Sequence, residues 1–242
     1  MSTATLPLSG GVSAPAPPPA GASRAAEDRY LWRAFRHHSR TFSLASLLLP
    51  SAVRLPIATV YLYCRTVDQI ADERVLTVGP ERALGEVQAT RHALGCALDG
   101  RPGDGLLWRR LAEVHARFGL LEEPLYELLD GAAWDLTGRT VETMGDLVAY
   151  SELVAGSVGA MILPFLVADR AEIPDLEASA RALGKAMQVT NVLRDVGEDL
   201  QELGRLYLPQ RLLDAHGLTR TDLLGVARNG HGPDAAYARL VE

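Results

Sequence analysis

The sequence predicts an all-α, single-domain protein, and three observations carry that reading. Apolar residues recur at helical spacing through most of the chain. No convincing run alternates apolar and polar residues as a half-buried strand does, and Gly and Pro punctuate the periodic segments where helices would start and stop. The 242 residues are 48% hydrophobic, enough for one sizeable core and too much for a disordered chain.

The elements follow in order. Ala25 to His37 carries apolar residues at Tyr30, Leu31, Ala34 and Phe35, with Glu27 and Asp28 near the positive end of the helix. A helix from about Ser51 to Glu73 has Pro56 in its early turns. Pro80 opens the next, which ends near Asp99-Gly100. Leu106 to Phe118 and Leu121 to Leu136 are split by Gly119. Thr143 to Tyr150 and a glycine-rich Val154 to Val167 come next. Pro174 precedes a long helix from about Asp175 to Asp199, and short helices are predicted near Leu208 and Thr219. Residues 1–24 are rich in Ala, Pro, Ser and Gly, lack a signal-peptide pattern, and read as a disordered tail ahead of a domain over 25–242.

Composition narrows function. The net charge of -6 and the absence of a dense basic tract argue against nucleic acid as partner. Two cysteines, Cys64 and Cys96, give neither a disulfide framework nor a zinc pattern, so a cytoplasmic setting is the simplest. The most apolar stretch, Leu153 to Ala168, falls short of the roughly 20 residues a bilayer span needs and contains Pro164. It reads as a buried helix packed closely through Gly156 and Gly159.

Two acidic patterns carry most of the functional information: Asp68-Gln-Ile-Ala-Asp72 and Asp195-Val-Gly-Glu-Asp199. Each sets two aspartates at i and i+4, one helical turn apart, where like charges repel unless a cation neutralises them. A lone pair of this kind is usually solvated surface. Here Asp68 closes an unusually apolar run from Ile57, and Gln188, Asn191, Asp195 and Asp199 form one polar stripe on an otherwise apolar helix. Two such helices facing each other would make a site for Mg2+, a hard ion that bridges a few carboxylates to phosphates; Mn2+ is the second candidate.

These segments, with His38-Ser-Arg-Thr-Phe42, Tyr61-Leu-Tyr-Cys-Arg-Thr-Val-Asp68, Val154-Ala-Gly-Ser-Val-Gly159 and Gly204-Arg-Leu-Tyr-Leu-Pro209, resemble the squalene/phytoene synthases, in the family's order from about Tyr30 to Leu218. The resemblance implies an isoprenoid synthase-type helical bundle around a central cavity, with the acidic motifs near its mouth. It implies a prenyltransferase that condenses two geranylgeranyl diphosphates head to head into phytoene, through a cyclopropylcarbinyl diphosphate, for carotenoid biosynthesis. The alternatives are squalene or dehydrosqualene synthesis from farnesyl diphosphate, with NADPH needed only for squalene, or a non-catalytic assembly-factor relative. Oily substrates are compatible with peripheral contact at the inner membrane. Oligomeric state is not readable.

By the same resemblance, Asp68, Asp72, Asp195 and Asp199 are catalytic and, with Asn191, ligate metal. Arg65 and Tyr61 join the catalytic set. His38, Ser39, Arg40, Arg194 and Arg205 are candidates for the diphosphate, as arginine forks suit phosphate oxygens; the alternative for Arg65 and Arg194 is simple pairing with the neighbouring aspartates, and both roles can coexist. Tyr207 and Tyr61 are candidates for a hydroxyl on pyrophosphate or a ring face beside a cation. Phe42, Val154, Ala155, Gly156 and Leu183 would line the prenyl chains, with Gln188 facing the same cavity. Three departures from the family pattern stand out: Glu152 where an aromatic residue is usual, one extra residue between Asp199 and Arg205, and a C-terminus that looks short.

Overall fold

The computed structural model describes residues 15–19, 21–229 and 238, and among these it contains helices and no strand. The predicted tail and the C-terminal end of the domain lie largely outside the described residues. Helix α1 (Arg24–His38) starts where Ser23 accepts a hydrogen bond from the Ala26 amide, and buries Leu31, Ala34 and Phe35. A short α2 (Arg40–Ala45) and a 3-10 turn (Ser46–Leu48) follow, both missed by sequence reading. Then come α3 (Ser51–Gln69), α4 (Val75–Val78), α5 (Pro80–Leu98), α6 (Leu106–Phe118) and α7 (Glu122–Leu136). The second half holds α8 (Met144–Ser151), α9 (Ser157–Ile162), α10 (Ile173–Glu198), α11 (Gln210–Ala215) and α12 (Arg220–Asn229).

Helices α3, α5, α6, α7 and α9 share the main core, built on Val60, Leu94, Leu111, Leu125, Leu129 and Met161. Tyr63 is buried there and donates its hydroxyl to Leu125 O at 2.6 Å, which satisfies the one polar group that its ring carries inward. A second cluster joins α10 to the C-terminal helices through Val192, Val196, Leu200, Leu213 and Leu218.

The glycine-rich segment is longer than the sequence suggested. Met144–Phe165 is a continuous helical run of 22 residues, long and apolar enough to cross a membrane by length and composition. Pro164 ends it in a 3-10 turn (Leu163–Phe165) rather than interrupting it. More than half of the run is buried, in part because α10 crosses it at glycine contacts. A Cβ at Gly184 would lie 2.6 Å from the Ala155 carbonyl carbon, and one at Gly159 would lie 2.8 Å from that of Ala180. Only hydrogen fits at these two points, so two glycines set the depth at which α10 seats.

Three π-helical turns interrupt the helices: Ile70–Arg74, Glu152–Gly156 and Asp199–Leu203. Each closes an i to i+5 hydrogen bond, from the Val75, Ser157 and Gly204 amides to Ile70 O, Glu152 O and Asp199 O. Such turns insert one residue and re-aim the side chains beyond it. All three fall on a motif identified in the sequence.

Candidate active site

The acidic motifs meet. The end of α3 and the π turn after it present Asp72; α10 and the π turn that follows it present Asn191, Asp195 and Asp199 across a cleft of about 250 Å3. Arg65, Gln188, Tyr150 and Tyr207 complete its chemically active wall. Asp68 lies in a small adjoining hollow with Asp72, Asp135, Tyr150 and Val154.

The cleft concentrates negative charge in a desolvated place. Burial, reinforced by the Asp72 and Asp135 carboxylates and opposed by Arg65, pushes the Asp68 carboxyl up to about 6. Burial also pushes Asp199 up to about 6, with Asp195, Asp72 and Glu198 adding to the shift. Asp72 and Asp199 line the same cleft, so each carboxylate lies within the field of the other. Burial and cross-helix repulsion are tertiary effects, so no local pattern in the sequence marks this shift.

One arginine ties the first acidic motif to Asp135 at the end of α7. Arg205 donates to Asp72 Oδ1 at 2.8 Å and to Ala71 O at 2.6 Å, and its guanidinium sits 3.8 Å from Asp135. Burial would lower its pKa, but Asp135 and Asp72 hold it above the ordinary arginine value. The extra residue between Asp199 and Arg205 fits because the backbone takes the wider π turn there and then reverses at Gly204, whose φ of 65° is left-handed. Asp135, which sequence reading missed, anchors the other side. Tyr150 and Tyr207 donate their hydroxyls to its two oxygens at 3.0 and 2.9 Å, and their rings stack 4.8 Å apart. Burial raises both phenols well above their ordinary range and raises Asp135 too. With both protons directed at Asp135, the tyrosines offer the cleft lone pairs and ring faces, a surface suited to a cation. The signal for Asp135 was weak: one aspartate in the apolar run Gly131–Leu136.

Other candidate residues lie away from the cleft lining. Tyr61 packs its ring 4.9 Å from Phe35 and 6.1 Å from Phe42, an aromatic packing position. Ser39 is buried and accepts from the Phe42 amide, capping α2. His38 sits beside Arg65 and His37, and burial first, then those neighbours, lowers it to about 4, so it is neutral at pH 7 and brings no charge to an anion. Arg40 is exposed, and Leu183 is 65% exposed rather than walled in. Ala155 and Gly156 meet α10 at the glycine crossing. Arg194 forks onto Asp195 at 2.6 and 2.7 Å, the structural alternative the sequence left open, whereas Arg65 pairs with Glu73 instead of an aspartate.

Glu152 has its own partners. It accepts from Arg181 at 2.9 Å and from Lys185, the only lysine of the chain, at 2.6 Å. Burial opposes ionisation, but these two cations win and hold its carboxyl below the usual range. Cys64 is buried against Met161, with Sγ 3.8 Å from its sulfur; burial first, and then the Asp68 charge, raise the thiol, consistent with packing.

Among the described residues no three His, Cys, Asp or Glu side chains already converge as a closed metal cage. The donor set nonetheless suits a hard divalent cation. Asp72, Asp195 and Asp199 offer carboxylate oxygens and Asn191 an amide oxygen, and burial with neighbouring carboxylates raises Asp199. An open set of a few oxygens, completed by water and phosphate, is how Mg2+ is generally held.

A squalene/phytoene synthase family model matches residues 35–242. A phytoene synthase of Cereibacter sphaeroides is 37% identical over 194 residues, covering 78% of this chain and 53% of that protein. A phytoene synthase of Rhodobacter capsulatus is 39% identical over 187 residues, covering 76% and 52%. The chain thus spans about half the length of the curated relatives it matches. A dehydrosqualene synthase crystallised with a ligand superposes with a TM-score of 0.78 at 30% identity, covering 89% of this chain and 71% of that one. Squalene synthase HpnC from Alicyclobacillus acidocaldarius gives 0.75 at 27%, covering 89% and 76%.

Proposed function

The chain belongs to the squalene/phytoene synthase family, and from that premise we propose that it condenses two geranylgeranyl diphosphates head to head into phytoene, with Mg2+. The observation that carries the reading is the cleft itself: Asp72, held by Arg205, opposite Asn191, Asp195 and Asp199.

Ionisation of an allylic diphosphate separates a carbocation from pyrophosphate, and groups that stabilise both charges accelerate it. Asp72, Asn191, Asp195 and Asp199 would hold the metal, and bound Mg2+ neutralises charge developing on the leaving pyrophosphate. Arg65 lines the cleft and can turn guanidinium donors to phosphate oxygens while remaining charged, and Arg205 holds Asp72 in place from behind it. The stacked Tyr150 and Tyr207, locked by Asp135, present ring faces and oxygen lone pairs to the carbocation side. The first condensation, with loss of one pyrophosphate and one proton, gives the cyclopropylcarbinyl diphosphate; a second ionisation expels the other pyrophosphate, and proton loss gives the C40 hydrocarbon with a conjugated triene at its centre. Tyr61, Ser39 and Arg194 act in this reading through packing, capping and pairing with Asp195.

A second reading, dehydrosqualene or squalene from farnesyl diphosphate, is favoured by the superposed dehydrosqualene synthase. Incubating the protein with Mg2+ and each diphosphate, with and without NADPH, separates the two. A C40 hydrocarbon formed without NADPH supports phytoene synthesis. A C30 product from farnesyl diphosphate alone overturns it.

A further inference from the structure

Short helix α2 and its 3-10 turn are amphipathic the wrong way round. Ser39, Ser43 and Ser46 face inward and are buried, with Ser43 and Ser46 hydroxyls donating to Arg40 O at 3.0 Å and Ser43 O at 2.7 Å. Leu44, Leu47 and Leu48, at i, i+3 and i+4, share the opposite face and are 69, 46 and 90% exposed. A stripe at that spacing normally faces a core. Arg54 fixes the segment by donating to Leu47 O and Leu49 O, both at 2.9 Å, so the leucines are held out on a braced turn. The charge of the stretch of chain that carries them is one-sided. In a chain of net charge -6, residues 29–67 contain six arginines and no Asp or Glu. Exposed Arg36 and His37 end α1, and exposed Arg40 lies one helical turn before Leu44 on its face.

We propose that this tip docks the protein on an anionic phospholipid surface, with Leu44, Leu47 and Leu48 entering the acyl boundary and Arg36 and Arg40 on the headgroups. Exposed apolar side chains set among cations are what an anionic interface selects. A two-fold contact with a second copy would instead set the same arginines against their own images, with no carboxylate of this stretch to relieve them. The inference does not depend on which diphosphate is used, and its test reads lipid binding alone.

The full chain is sedimented with vesicles of phosphatidylcholine, with and without phosphatidylglycerol. Binding is expected only to the anionic vesicles, falling as salt is raised. Leu44→Ser with Leu48→Ser should weaken it at least about tenfold, whereas Leu176→Ser, an exposed leucine on α10, should leave it unchanged. Equal binding by the double variant, or no anionic preference, overturns the proposal. A polarity-sensitive fluorophore on Leu48→Cys, in a Cys96→Ser background, should be quenched by iodide in lipid-free protein and protected on anionic vesicles. Protection without lipid overturns the proposal: independent of concentration, it shows that the chain itself covers the tip; rising with concentration, it shows a second copy there.

Discussion

Substituting Gly184 by alanine tests whether the glycine crossing seats α10, the helix that carries Asn191 and Asp195. A new Cβ would lie 2.6 Å from the Ala155 carbonyl carbon and 3.0 Å from the Gly156 amide nitrogen, where ordinary contact begins near 3.4 Å. The opposing atoms are backbone, so no side chain can turn away, and α10 must lift by about 1 Å. Overpacking of this kind costs about 1–3 kcal/mol or more, while alanine returns up to about 1 kcal/mol of helix propensity. The net expected loss is about 2 kcal/mol, a fall in melting temperature of about 4–8 °C for a chain of this size. Gly85 supplies the control: it is exposed within α5 and a Cβ there meets nothing within 4 Å. Gly85→Ala should gain about 0.5–1 kcal/mol. Scanning calorimetry of the two variants measures the contrast. Because Asn191 and Asp195 ride on α10, Gly184→Ala should also lower turnover about 100-fold. A Gly184→Ala protein as stable as Gly85→Ala would refute the close crossing.

Three further outcomes follow from the charges. Asp68 and Asp199 have folded-state pKa values raised to about 6, so their contribution to stability is full below about 4 and lost as pH rises through 6. In metal-free buffer the melting temperature should therefore fall from pH 5 to pH 7, Asp199→Asn should flatten that slope, and Mg2+ should raise the midpoint of the parent at pH 7 but not that of the variant. Asp135→Asn replaces the carboxylate that orients Tyr150 and Tyr207, and is expected to cut turnover about 100-fold in steady-state assays. Arg181→Ala removes the shared partner of Glu127, Glu152 and Glu177, which bond it at 2.7, 2.9 and 2.8 Å; urea unfolding should show a loss of about 2–3 kcal/mol.

The helices were legible because their apolar periodicity and their Gly and Pro boundaries are local signals. Pro80, Gly119 and the long run into Asp199 fell where the sequence placed them. Helix α2 was not, since its serines face inward and its leucines outward, the reverse of the pattern that announces a helix. The π turns also escaped, because one inserted residue leaves no composition mark. Within the cleft, the aspartates, Asn191, Gln188 and Tyr207 were readable from spacing and resemblance. Asp135 and Tyr150 were not singled out, as their importance rests on a contact across 15 residues with a third partner, Tyr207, 72 residues from Asp135. Tyr61, read from its motif, has its ring near Phe35 and Phe42, a packing contact that the motif alone does not announce.

The central claim is that both acidic helices act on one diphosphate, and the release of pyrophosphate from geranylgeranyl diphosphate tests it most directly. The parent protein should release pyrophosphate only with Mg2+, and Asp72→Asn and Asp199→Asn should each abolish release while remaining folded. Release that persists without a divalent ion, or that survives either substitution, would contradict the account.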